Sequence, residues 1–329
     1  MRILVSSLAL LGSLASPALA LAAGQDLTDL IAPVEAIELT PGAEAGEKAG
    51  EFRFVLSFEP GNGAEVGLLR DKFMKDGIIA EVLDSLSDQI ALPADFLITF
   101  KQCDAINAWF SPSERSITFC YELIQLYNHG YDQVDGDLAH MVGWADQSTV
   151  LTGTTLHILL HEIGHAMVEI FDLPITGREE DAVDQFATLT LIAQDEEDEP
   201  FATRPSRLAM LGAVMFNEIS TQPENIDRNN FADVHSLGQQ RYYDNLCLLI
   251  GGNEEVYLPL IAPGMAMVHA TYLADTDKFD QDKLMSWFAK TDALNLLPYQ
   301  RVFNCSSEFA RYDASWDYLI DNFMLRQPE

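Results

Sequence analysis

Five consecutive residues, His161-Glu162-Ile163-Gly164-His165, have the types and spacing to do chemistry. On a helix of about 3.6 residues per turn, His161 and His165 lie on one face, one turn apart. Two imidazoles at that spacing can hold one zinc ion, and Glu162 beside them is placed to take a proton from a water on that ion. Two histidines do not complete a catalytic zinc site. A third protein ligand is needed, with the fourth position left to water.

Candidates for the third ligand can be sorted by reach. His157 and Glu169 each stand eight residues from the farther motif histidine, about 12 Å of helix rise, whereas zinc ligands lie about 2 Å from the metal. His157 therefore reads as a satisfied or surface histidine and Glu169 as a charge on the helix face. An extended motif with Gly at 168 and His at 171 is excluded by Val168 and Phe171. The segment Gly177 to Ala187 remains. There Glu180 and Asp184 share a helix face, so Glu180 can bind the metal while Asp184 hydrogen-bonds the far nitrogen of His161 and fixes its tautomer. Glu179 has Val183 on its own face and lacks such a partner; Glu179 and Asp181 stay as alternative ligands. The competing reading is an acidic first turn that serves only the helix dipole.

The elements that must position these groups follow from periodicity. An apolar run predicts one helix over 148–171, closed by Pro174 and Gly177, and a second over 178–193. Alternation predicts strands at 51–58, 95–101 and 115–122, with a loop at 107–112. Helical spacing runs from 65 to 92, with Gly77 an interruption. The acidic run Asp195 to Glu199 reads as a solvated loop. Beyond it the chain is mainly helical: 206–220, 233–250 and several segments between 254 and 323. Strands early and helices late predict an α+β fold.

Composition narrows the setting. Nineteen basic against 51 acidic residues give a formal charge of −32, which argues against nucleic acid, anionic membrane surfaces and acidic substrates. With 329 residues, 48% of them hydrophobic, the chain can bury a sizeable core. Arg2, the apolar run to Ala15 and the small residues at Ala18 and Ala20 read as an export signal over 1–20, followed by a flexible leader over 21–50. No later stretch is long and apolar enough to span a membrane. Cys103, Cys120, Cys247 and Cys305 then suggest two disulfides in an exported protein, periplasmic or secreted. Three connectivities exist. Cys103–Cys120, flanking a hairpin, with Cys247–Cys305 is the favoured one.

The pair His161–His165 with Glu180–Asp184 resembles the gluzincin group of zinc metallopeptidases. More narrowly, the chain resembles a bacterial metallopeptidase family of unknown function. That likeness rests on Cys103, Asn107-Ala108 and Cys120-Tyr121-Glu122-Leu123, on His161 to Ala166, on Gly177 to Ala187, and on His235, Gln240-Arg241 and Asn245-Leu246-Cys247. It implies a zincin-like fold: a small, mainly antiparallel N-terminal sheet, the motif helix, and a mostly helical C-terminal part. On that basis the core spans 51–200, with a helical subdomain over 201–329 packed on it. The resemblance also implies that Asn107 and Ala108 belong to an edge strand that holds a substrate backbone, and that His235 stabilises an oxyanion. Asp233 caps the following helix or orients the His235 ring, and Arg241 either faces substrate or pairs with a carboxylate.

These readings converge on one expectation: an exported peptidase with one zinc ion per chain, held by His161, His165 and Glu180, with Glu162 as general base and a peptide or protein as substrate. Two other classes compete. One is a non-catalytic zinc-binding envelope protein that grips a peptide or protein partner. The other is a purely structural helix with no metal.

Overall fold

The computed structural model describes residues 49–131, 145–196, 199–218, 225–273 and 281–325. The export signal, nearly all of the leader and His140 lie outside the described residues. All of those described belong to one unit, Pro41–Glu329.

Four strands form one sheet: β1 (Phe54–Phe58), β2 (Phe96–Lys101), β3 (Ala108–Ser111) and β4 (Ser116–Cys120), in the order β1-β2-β4-β3. The sheet is mixed, which corrects the expectation of a mainly antiparallel one. β1 pairs β2 in parallel, with Leu56 opposite Ile98, and β2 pairs β4 in parallel, with Ile98 opposite Ile117. Among these strands, only β3 and β4 run antiparallel. The reason is the connection. Helices α1 (Ala64–Asp76) and α2 (Ile78–Gln89) carry the chain from the end of β1 back to the start of β2, and a helical crossover of that kind returns a strand in the same sense. Gly77 divides the two helices with φ of 74°, a left-handed conformation that glycine takes without a Cβ penalty. The expected loop at 107–112 is instead largely β3, because its backbone completes a ladder with β4, from Ala108 opposite Phe119 to Ser111 opposite Ser116. Phe58, Phe100 and Phe119 pack in a row across the sheet, with ring centroids 4.9 and 4.8 Å apart.

After α3 (Tyr121–Gly130), the motif lies on α4 (Gln147–Ile170). Asp146 caps α4, its Oδ1 accepting from Thr149 N at 2.8 Å. Eighteen of its 24 residues are buried, so α4 is the central helix and the sheet and later helices are laid around it. α5 (Glu179–Ile192) and α6 (Pro205–Glu218) pack directly on it. Two glycines permit that closeness. A Cβ on Gly153 would lie 2.8 Å from Leu208 O on α6, and one on Gly164 would lie 2.7 Å from Val183 Cβ on α5.

The remaining α-helices among the described residues are α7 (Arg228–Ala232), α8 (Gly238–Gly252), α9 (Glu254–Ile261), α10 (Pro263–Leu273), α11 (Gln281–Thr291) and α12 (Tyr299–Leu319). The helix expected from residue 233 starts at Gly238 instead. Asp233 Oδ1 accepts from His235 N at 2.9 Å and holds that stretch as a turn, while Gln240 Oε1 caps Leu237 N at 3.1 Å. Asp195 is not solvated as expected. It accepts from Ser206 N at 2.9 Å and Arg204 Nη1 at 3.2 Å, tying its loop to the start of α6. The cysteines pair as Cys103–Cys120, beside the β3–β4 hairpin, and Cys247–Cys305, which fastens α8 to α12. No helix among the described residues is long and apolar enough to cross a membrane.

Candidate metal centre

α4 and α5 face each other in opposite senses, and their polar residues meet as rungs four residues apart. His157 Nε2 lies 3.0 Å from Thr188 Oγ1, and His161 Nδ1 lies 2.7 Å from Asp184 Oδ1. In the third rung, His165 Nε2 lies 3.3 Å from Glu180 Oε2. α8 extends two of these rungs. Thr188 donates to Asn245 Oδ1 at 2.6 Å, and Arg241 grips Asp184 with Nε at 2.6 Å from Oδ2 and Nη2 at 2.7 Å from Oδ1. The local cause is the helical repeat: 157, 161 and 165 on one helix, 180, 184 and 188 on the next, and 241 and 245 on the third each recur every four residues.

The rungs differ in what they can bind. His157 is fully buried, and burial pushes its imidazole down to about 3, so it stands neutral as a packed, hydrogen-bonded core residue. At the open end, three imidazoles converge on one carboxylate oxygen. Glu180 Oε2 lies 3.2 Å from His161 Nε2, 3.3 Å from His165 Nε2 and 3.0 Å from His235 Nε2. None of these contacts has hydrogen-bond geometry: Glu180 Oε2 is buried and accepts no hydrogen bond. The opposite nitrogen of each ring is held by a carboxylate. Asp184 takes His161 Nδ1 at 2.7 Å, Glu179 takes His165 Nδ1 at 2.7 Å, and Asp233 takes His235 Nδ1 at 3.1 Å. Carboxylate-anchored Nδ1 with Nε2 turned inward is how metal-binding histidines are oriented. An orphaned, buried carboxylate oxygen amid three such nitrogens is a donor set that suits a divalent cation of the zinc type.

Electrostatics agree with the geometry. Burial alone would raise the Glu180 carboxyl, but the three imidazoles hold it far below the usual carboxylate range. Asp184 is likewise held very low, burial being outweighed by Arg241 and His161. Burial works to lower His165, yet the Glu180 and Glu179 carboxylates push it up to about 9. The site is thus a concentration of negative charge that only cations, protons or metal, can neutralise.

Glu162 points into the same cleft. Its Oε2 accepts from Phe110 N at 3.0 Å, and burial raises its pKa despite His161 and His165 nearby. Phe110 lies on β3, the edge strand, so this N–H faces away from β4. The cleft encloses about 420 Å³ and brings together His161, Glu162, His165, Glu180 and His235 with Asn107 and Ala108 on its rim. Glu169 is exposed at the cleft edge, Asp181 accepts from Ser236 Oγ at 2.6 Å, and His129 pairs with Glu65 at 2.8 Å, away from the centre. Cys103 and Cys120 form their bridge on the hairpin, and Cys247 and Cys305 theirs behind α8. Three contributors escaped sequence reasoning: Glu179 as the partner of His165, the Phe110 amide, and Tyr127, which lines the cleft and is pushed up to about 12 by burial. The four-residue series across the helices carries part of that information. The other contacts have no local signal.

Neither the curated proteins nor the solved structures contain a match to the chain. Residues 58–271 match the family DUF4344, whose description is "Putative metallopeptidase" and which implies a bound metal ion and a peptide substrate. Those residues include every member of the polar cluster, from Phe110 on β3 to Asn245 on α8, and make up more than half of the chain, which therefore belongs to this metallopeptidase family.

Proposed function

We propose that the protein is an exported zinc-dependent peptidase of gluzincin type, with one zinc ion per chain. The observation that carries this reading is the convergence of three imidazole Nε2 atoms on the orphaned Glu180 oxygen, with Glu162 facing the same cleft. His161, His165 and Glu180 would hold the ion. When bound, such an ion acidifies water and polarises a carbonyl.

The rest of the work falls to the chain. Asp184 and Glu179 fix the ring orientations of His161 and His165. Arg241 in turn holds both oxygens of Asp184 with two hydrogen bonds. Glu162, with its raised pKa, accepts a proton at a carboxylate oxygen and returns it to the leaving nitrogen. The outer edge of β3, which begins at Ala108 just after Asn107, lies along the cleft, where an extended peptide could lie beside it. His235 Nε2 is directed at the same point and is the available donor to a carbonyl oxygen that gains negative charge. The two disulfides support an exported, periplasmic or secreted setting.

The test pairs zinc content with cleavage of a peptide library, for the parent chain and Glu162→Gln. One zinc per chain in both is expected, with cleavage slowed at least about 100-fold in the variant. Equal cleavage by both would remove Glu162 from the mechanism. Zinc in both and cleavage by neither would favour a zinc-binding protein that holds peptides without cutting them.

A further inference from the structure

We propose that His235 is a fourth protein ligand of the resting metal centre, one that closes the site and must be displaced before substrate can enter. This rests on the metal-binding reading of the cluster and adds a state to it. His235 makes the shortest of the three approaches to Glu180 Oε2, 3.0 Å against 3.2 and 3.3 Å for His161 and His165. Ligand atoms on a tetrahedron about 2.0–2.1 Å from a common ion stand roughly 3.3 Å from one another, so the three separations from Glu180 Oε2 match three of its six edges. The ligand atoms of His161, Glu180 and His235 all fall within 4.8 Å of one another, a group that does not include His165, whose Nε2 approaches Glu180 Oε2 at 3.3 Å. The His235 ring is also oriented as a ligand is. Asp233 Oδ1 holds its Nδ1 at 3.1 Å and its backbone N–H at 2.9 Å, as Asp184 and Glu179 hold the other two rings.

What separates His235 from the others is its support. His161 and His165 stand on the buried central helix, with side chains only 5% and 17% exposed. The His235 side chain is 46% exposed on the turn between α7 and α8, and its anchor Asp233 is 56% exposed. Two histidines and a glutamate are thus fixed by packed helices, while the fourth group rides on a surface turn. A catalytic site needs an open position, so the group that yields is the one whose departure disturbs no packing. Once displaced, Nε2 takes up a proton from solvent, and the ring remains beside the cleft as a donor to substrate.

The test uses the full mature chain stripped of metal and titrated with zinc or with cobalt(II) alone, comparing the parent with His235→Ala and Asp233→Asn. Zinc affinity is read by competition with a chromophoric chelator, and ligand number by the visible absorption of the cobalt form. His235→Ala should weaken zinc at least about 10-fold and change the cobalt absorption, with Asp233→Asn shifting affinity in the same direction by less. Circular dichroism of the metal-free variants checks that they fold. Unchanged affinity and an unchanged cobalt spectrum in His235→Ala would overturn the proposal while leaving the peptidase reading intact. A parent chain that binds neither ion would overturn both.

Discussion

Gly164→Ala adds one methyl group at the point where α4 and α5 touch. The new Cβ would lie 2.7 Å from Val183 Cβ, 2.9 Å from its Cγ1 and 3.2 Å from its Cα. Carbon atoms rest about 3.5–4.0 Å apart, so the two helices must part by roughly 1 Å. Val183 is fully buried and β-branched, and its nearest atom is its own Cβ, so no side-chain rotation relieves the clash. Overpacking of this kind costs about 1–3 kcal/mol, here toward the upper end, and the helix preference of Ala over Gly returns about 1 kcal/mol. The net expectation is a loss of about 2 kcal/mol in urea unfolding of the metal-free protein. The functional loss should be larger. Glu180 and Asp184 flank Val183 on α5, and ligand positions tolerate only about 0.2 Å, so zinc affinity should fall and cleavage drop by about 100-fold. Gly164→Ala combined with Val183→Gly removes the two nearest opposing atoms and should recover zinc binding in large part. If Gly164→Ala binds zinc and unfolds as the parent does, this contact does not set the spacing of the two helices.

Three further outcomes follow from the same packing. Asp184→Asn removes the negative charge that holds His161 Nδ1 and pairs with Arg241, and sets an NH2 donor against the guanidinium, so zinc affinity measured by chelator competition should fall about 10–100-fold. His157, held near 3 when folded against 6.5 when unfolded, leaves the unfolded chain binding more protons between those values. Stability should therefore decline as pH falls below 6.5, by about 2 kcal/mol at pH 5 from this residue alone. His157→Gln should show a correspondingly shallower decline in urea midpoint between pH 7 and 5, and an equal slope would place the acid sensitivity elsewhere. Cys247→Ala with Cys305→Ala opens a bridge spanning 58 residues, and should cost about 2–4 kcal/mol of unfolding free energy without altering the zinc-to-protein ratio.

How much of this centre is legible in the chain depends on distance along it. His161, Glu162 and His165 sit within two turns of one helix, and so do Glu180 and Asp184, so a repeat of 3.6 residues is enough to group them. The α+β character and the positions of α4 and α5 follow from similarly local patterns, within one or two residues at each end. The sense of β2 against β1 and β4 does not, because strand direction is set by where the connecting helices deliver the chain, and a strand reads the same in either sense. The same holds within the site. Glu179 looked partnerless on its own helix face, yet its partner is His165 on the facing helix. His235 showed only a histidine after an aspartate. Its approach to Glu180 depends on the turn that Asp233 holds and on α8 lying beside α5. By itself, then, the sequence determined which polar residues share a face within each helix. The tertiary structure alone decided how those helices meet and which surface residue reaches them, because such meetings depend on packing between segments dozens of residues apart, where no local periodicity operates.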